Sequence, residues 1–138
     1  MTPKLHNAYH RDIETVIIYP NFYCQGERGN NYAKMGYWQL KVNETKTVLG
    51  EDCKVNWTYC VHAHTLDRQY TWGQQYSAYC PKKAFDECFN TNSAGYEFFR
   101  FHGFKATNIN MIYHLHIWYL DRISVDRVDS YRIDVTSY

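Results

Sequence analysis

The chain contains seven histidines, four of which form two His-x-His motifs, His62-Ala63-His64 and His114-Leu115-His116. On a β-strand, residues two apart project from the same face, so each motif offers two imidazoles side by side. On neighbouring strands, His62, His64, His114 and His116 would supply four nitrogens to zinc, copper or iron. Alternation places both pairs on the polar side of their strands, where histidine is an ordinary exposed residue. Asn56, a glycosylation candidate, shares the face of His62 and His64, which also points to solvent. The leading expectation is no cofactor, with metal ligation as the alternative.

Cysteine is the second reactive type, at Cys24, Cys53, Cys60, Cys80 and Cys88. None stands in a C-x-x-C spacing, so neither a zinc ribbon nor a thioredoxin-type pair is indicated. Two glycosylation sequons, Asn43-Glu44-Thr45 and Asn56-Trp57-Thr58, favour the secretory route. In that compartment cysteines mostly pair, which predicts two disulfides of undetermined connectivity and one odd cysteine. The odd one is left as a free thiol, as a bridge to a second chain in a dimer, or as the partner of a segment outside these 138 residues. The chain opens without the charged, apolar and small-residue regions of a secretory signal, so a mature chain is expected. Extracellular localisation follows, either secreted or on a cell surface.

Catalytic signatures are few. There is no phosphate-cradling glycine loop, no Gly-x-Ser-x-Gly elbow and no His-Glu-x-x-His helix. Asp12 with Glu14, and Asp86 with Glu87, are adjacent acids of the kind usually found as surface charges. With 15 basic and 14 acidic residues the net charge is +1, which argues against a nucleic-acid partner. The longest apolar runs are too short to span a bilayer. The balance leans away from an enzyme.

Aromatic side chains carry the binding signal, with 14 Tyr, 7 Phe and 4 Trp. Tyrosine and tryptophan offer large amphipathic area at low entropic cost, which suits protein interfaces. The segment 70–79 is uncharged and aromatic every few residues, and Tyr70, Trp72, Tyr76 and Tyr79 are its candidate contacts. Phe22 and Tyr23, in the polar loop 21–31, form the second candidate region. A protein partner is expected first and a glycan second, because aromatic faces also stack on sugar rings.

The elements that must position these residues read as strands. Aromatic and β-branched residues fit a pleated, half-buried surface. Period-two alternation recurs at 37–43, 55–65, 109–119 and 131–136, with further strands at 15–23 and 96–102. In 55–65 the inward set is Val55, Trp57, Tyr59, Val61 and Ala63. One short helix is predicted near 81–89, where Pro81 suits the first position and Phe85, Cys88 and Phe89 recur at helical spacing. Alternating strands without strand-helix repetition predict a single all-β domain over 1–138, an antiparallel β-sandwich of C2-like or jelly-roll-like form.

Two short stretches resemble known families. His62-Ala63-His64-Thr65-Leu66-Asp67, ending at Gly73, resembles the first metal motif of cupins. That resemblance implies a metal-dependent jelly-roll enzyme, although the acid is aspartate and no second motif follows. Ile117-Trp118-Tyr119-Leu120-Asp121 with Asp126-Arg127-Val128 is similar to the third calcium loop of C2 domains. Asp52 and Asn56-Trp57-Thr58-Tyr59-Cys60-Val61 resemble the first loop and the strand leaving it. Tyr119 stands where a calcium-binding aspartate would be, so Asp52, Asp121 and Asp126 alone make a poor calcium site. This resemblance implies a calcium-free sandwich like the extracellular C2-like domains of Delta-type Notch ligands. The resulting expectation is a non-enzymatic binding module with an aromatic contact surface.

Overall fold

The computed structural model describes residues 4–24, 31–49, 54, 57–89, 95–105, 112–118, 122–128 and 132–136, with backbone alone at Lys4 and in the strands beyond Gly103. Among the described residues there are twelve strands and no helix. They are β1 Lys4–Ala8, β2 Ile13–Pro20, β3 Tyr32–Leu40, β4 Thr45–Thr47, β5 Thr58–Thr65 and β6 Thr71–Trp72. The second half supplies β7 Tyr76–Cys80, β8 Phe85–Cys88, β9 Glu97–Lys105, β10 Ile112–Trp118, β11 Arg122–Val128 and β12 Arg132–Thr136. The all-β, sandwich-like expectation holds.

The larger sheet runs β7-β9-β5-β2-β3-β8 and is antiparallel throughout. The two-residue β6 pairs with Ala63 and His64 of β5, beyond the point where β9 leaves that edge. The smaller sheet runs β11-β10-β12-β1-β4. Here β12 lies parallel to both β1 and β10, a departure from uniform antiparallel pairing. After the β10–β11 hairpin the chain returns to the far side of β10 instead of adding beside β11.

Alternation sorts the large sheet's side chains into two apolar layers. Ile13, Ile17, Tyr59, Val61, Ala63 and Trp72 join Leu5 and Tyr9 in the first. Val16, Ile18, Cys60, Ala78, Cys80, Phe99 and Phe101 form the second on the opposite face. Each large apolar side chain so buried contributes roughly 1.5–3 kcal/mol. A bulge bends the sheet: Thr15 pairs with Trp38 but Val16 with Gly36, leaving Tyr37 extra. Such an insertion increases local twist. The sheet curls until its edges meet, and Tyr37 Oη in β3 donates to Pro81 O just after β7 at 2.7 Å. Lys34 Nζ, also in β3, donates to Tyr79 O of β7.

The helix predicted near 81–89 is corrected to strand β8, whose Phe85–Cys88 pairs with Ala33–Gly36. A spacing of four puts Phe85 and Phe89 on one face in either conformation, and both pack on the second layer. Cys88 turns the other way and forms a disulfide with Cys24.

Candidate functional site

The curled sheet leaves a cleft of about 570 Å³ beside its meeting edges. Ile18 and Cys60 of the second layer, with Thr58, are contributed by the central strands. Gln75, Tyr76 and Ser77 come from the β7 side, and Tyr32 and Phe89 from the β3–β8 side. Among the described residues that line it, none is charged. Gln75 is fastened to β9: its N–H donates to Phe101 O at 2.9 Å and its Oε1 accepts from Gly103 N at 2.7 Å. Tyr76 lies across Gly103, where an added Cβ would come within 2.4 Å of the tyrosine ring. Its ring nevertheless remains 53% exposed at the mouth.

An aromatic run extends the cleft. The Tyr32 ring lies 5.8 Å from Trp57, and Trp57 meets Phe22 edge-on at 4.9 Å. The Lys54 ammonium sits 5.2 Å from the centre of the Phe22 ring. Phe22 is 51% exposed, and the adjoining Tyr23 fully so. The turn that carries them is anchored at Cys24 by the disulfide to Cys88 in β8, next to Phe89. The two aromatic regions singled out in sequence, around Phe22 and around Tyr76, are thus linked through one cleft.

The other candidate contacts lie elsewhere. Trp72 is 1% exposed and packs edge-on against Tyr9 at 4.9 Å, so it is a core residue. Its place on β6 turns it into the first layer, where its bulk closes the end of β5. Tyr70 is half-buried against that layer with the Arg11 guanidinium 5.4 Å from its ring. Tyr79 pairs with Phe98 on the outer face of β7 and β9, their rings 5.4 Å apart.

The paired histidines of β5 are buried, which corrects the expectation of a solvent-facing pair. His62 is 2% exposed and His64 0%, because the curl covers the polar face of β5 with β9 and the ring of Tyr37. His62 stacks on Phe99 with ring centres 4.4 Å apart. Its Nδ1 is 2.7 Å from Arg100 O and its Nε2 is 2.9 Å from His64 Nδ1. His64 Nε2 reaches Glu14 Oε1 of β2 at 3.1 Å. Burial lowers both pKa values, that of His62 to about 3; the Arg100 carbonyl and the Glu14 carboxylate oppose the shift. All four ring nitrogens are engaged, so none is left to a metal in this arrangement. His114 and His116 lie on β10 in the other sheet, so the motifs are not on neighbouring strands. Among the described residues no group of three His, Cys, Asp or Glu side chains could hold a metal ion. Asp67, the acid of the cupin-like stretch, instead caps the turn after β5, accepting from Thr65 Oγ1 at 2.6 Å and from Gln69 N at 3.0 Å.

A second cavity, about 440 Å³, opens beside His62 where β9 leaves β5. Gly73 forms part of its wall at φ 135°, and a Cβ there would lie 2.2 Å from Arg100 O. Near the pair, Arg68 and Glu97 form an ion pair at 2.6 Å, which holds the Glu97 carboxyl below its usual range. Lys34 is fully buried, 3.4 Å from Glu87 and close to the rings of Phe89 and Tyr96. Sequence reasoning missed Lys34 and Tyr37 as members of the interior, and the Arg68–Glu97 ion pair at its edge. The available signal was a lysine as the single charge within Tyr32–Leu40.

The expectation of two disulfides becomes one bridge among the described residues, Cys24–Cys88. Cys60 and Cys80 are buried thiols, both pushed up to about 12 by burial. They sit on β5 and β7 with β9 between, and strands two apart are roughly 10 Å from each other, too far for a bridge. Cys53, Asn56 and the C2-like acids Asp52 and Asp121 lie outside the described residues. Asn43 is exposed in the turn before β4 at φ 65°, a conformation asparagine tolerates, and is open to a glycan. No described helix is long and apolar enough to cross a membrane. In comparisons with known proteins no family model matches the chain, and no curated protein or solved structure matches it either.

Proposed function

We propose that the protein is an extracellular, non-enzymatic binding module that recognises a protein partner through the Tyr76–Tyr32–Phe22 aromatic cleft. The observation that carries this reading is the convergence of Tyr76, Tyr32 and Phe89 in one cleft, which Trp57 and Phe22 continue as an aromatic run with Lys54 beside its far end. Buried aromatic anchors surrounded by neutral polar groups are the usual energetic centres of protein interfaces. The cleft's apolar walls favour an aliphatic or aromatic side chain of the partner. A sugar would need more free hydrogen-bonding groups than Thr58, Ser77 and the already bonded Gln75 provide. The Cys24–Cys88 disulfide and the exposed Asn43 sequon support the extracellular assignment. The C2-like resemblance of 117–128 belongs to the same reading, as a sandwich that works without calcium.

The test uses a random peptide library displayed on phage and selected on the oxidised protein, with the recovered peptides titrated against variants. Tyr76→Ala and Phe22→Ala are each expected to weaken binding about tenfold or more, while Phe98→Ala on the outer face of β9 leaves it unchanged. Peptides that ignore Tyr76 and Phe22 but are lost on Phe98→Ala would move the interface to the outer face. Recovery of no binder at all would sink the proposal.

A further inference from the structure

Three contacts link Arg100 O, His62, His64 and Glu14 in one chain across β9, β5 and β2. Both ends are acceptors: a backbone carbonyl at one and a carboxylate at the other. Three hydrogen bonds need three protons, yet two neutral imidazoles carry only one N–H each. His62 Nδ1 must donate to Arg100 O, so neutral His62 accepts at Nε2 and His64 Nδ1 must donate there. Neutral His64 then meets the Glu14 carboxylate with a bare lone pair. We infer that the arrangement with all three contacts made holds one extra proton between His64 and Glu14, and that this proton latches His64 of β5 to Glu14 of β2. Loss of the proton opens one contact, because two acceptors would then face each other at 3.1 Å.

The surroundings locate the proton. His62 stacks on Phe99 and, among the described residues, has no charged side chain at hydrogen-bond distance, so it stays neutral. Around the pair stand Glu14 from β2, Tyr37 from β3, Arg68 from the turn after β5, and Glu97 from β9, with the Cys80 thiol of β7 beyond Tyr37. Arg68 is already neutralised by Glu97 at 2.6 Å, which leaves Glu14 as the carboxylate that faces His64. Burial of His64 sets loading on the acid side of an ordinary histidine. The latch is therefore open in neutral solution and closes on acidification, with the ratio of closed to open forms changing about tenfold per pH unit. This inference is independent of what the cleft binds.

Long-range proton–nitrogen NMR of the histidine rings, from pH 8 to pH 4, tests it on the intact oxidised protein. The expected record shows His62 as the neutral Nδ1–H form throughout, and one proton taken up at the His64–Glu14 contact below pH 6.5. Glu14→Gln supplies an amide N–H to His64 Nε2 without any added proton. That variant should lose the titration and hold His64 as the neutral Nδ1–H form at every pH. Two results would overturn the latch: a hydrogen on His62 Nε2 in the acid form, or an unchanged titration in Glu14→Gln. If that variant does not fold, the ring assignment in the unsubstituted protein decides alone.

Discussion

Replacing Cys24 and Cys88 together by serine removes a cross-link that spans 64 residues of chain. In the loop-closure model such a link removes about 4 kcal/mol of unfolded-state entropy at 25 °C. That is a large part of the 5–15 kcal/mol typical of a domain, so the variant should fold only marginally. The loss should also have a place. β8 is an edge strand held by four register pairs to β3 and by this bridge, and Phe89 follows it into the cleft wall. Urea unfolding without reductant at mildly acidic pH, where the thiols stay protonated, keeps Cys60 and Cys80 from reshuffling and leaves the bridge of the reference protein intact. With a slope of about 2 kcal/mol per molar, the midpoint should fall by about 2 M. Native-state amide exchange should accelerate first at 33–36 and 85–89, before the centre of β2 or β5. A stability change below about 1 kcal/mol would refute the reasoning, since the loop is long enough for the entropic term to dominate. So would a full loss of stability with exchange uniformly raised, because the bridge would then hold no particular edge.

The remaining predictions concern the core, the cleft and the buried imidazoles. Trp72→Ala should cost about 3–5 kcal/mol in urea unfolding, because it empties a core site against Tyr9; a loss under 1 kcal/mol would return Trp72 to the surface. Gly103→Ala should displace the Tyr76 ring and weaken cleft binding as strongly as Tyr76→Ala, read by titrating the selected peptides. Stability should be fully present above pH 6.5 and fall on acidification, by about 1.4 kcal/mol per pH unit for His62, with His64 adding to the fall only until the His64–Glu14 contact takes up its proton. The sign follows from the lowered folded pKa values: the unfolded chain takes up these protons first. For His62 the window runs down to about pH 3. Chemical denaturation at pH 7.5 and pH 5.0 checks this, and greater stability at the lower pH would contradict it.

The sequence's period-two pattern located β5 within 55–65 and only the last four residues of β3 within 37–43, while aromatic and apolar content without alternation placed β2 near 15–23 and β9 near 96–102. Alternation could not say what the second face of a strand meets. Cys60, His62 and His64 read as a polar, wet face, and the reading fails because the sheet curls over them. Curling depends on the bulge at Tyr37 and on long-range contacts such as Tyr37 to Pro81, 44 residues apart, for which no local pattern exists. Phe85 and Phe89 are equally spaced for helix and strand, so only the pairing of β8 with β3 decided between them. Tyr76 and Phe22 were legible as aromatics in polar company. Their meeting at one cleft was not, because Trp57 and Tyr32 connect them through the fold.

The buried polar groups bear on why the curled sheet keeps one register. A lysine, two histidines and a tyrosine inside the second layer cost stability unless each finds a partner, and apolar replacements would pack as well or better. Partners exist for only one alignment of strands. Slipping β9 by one residue against β5 would turn Phe99 and Phe101 out of the layer. It would also carry Arg100 O away from His62 Nδ1. Leaving that N–H unpaired in an apolar interior costs roughly 1–3 kcal/mol, and the same slip pulls β7 and Tyr79 O from Lys34. The penalties add across elements far apart in sequence, so a small error in pairing costs more than any single contact contributes. The interior polar set therefore fixes where β9 and β7 stop relative to β3, and with it the width of the cleft beside them.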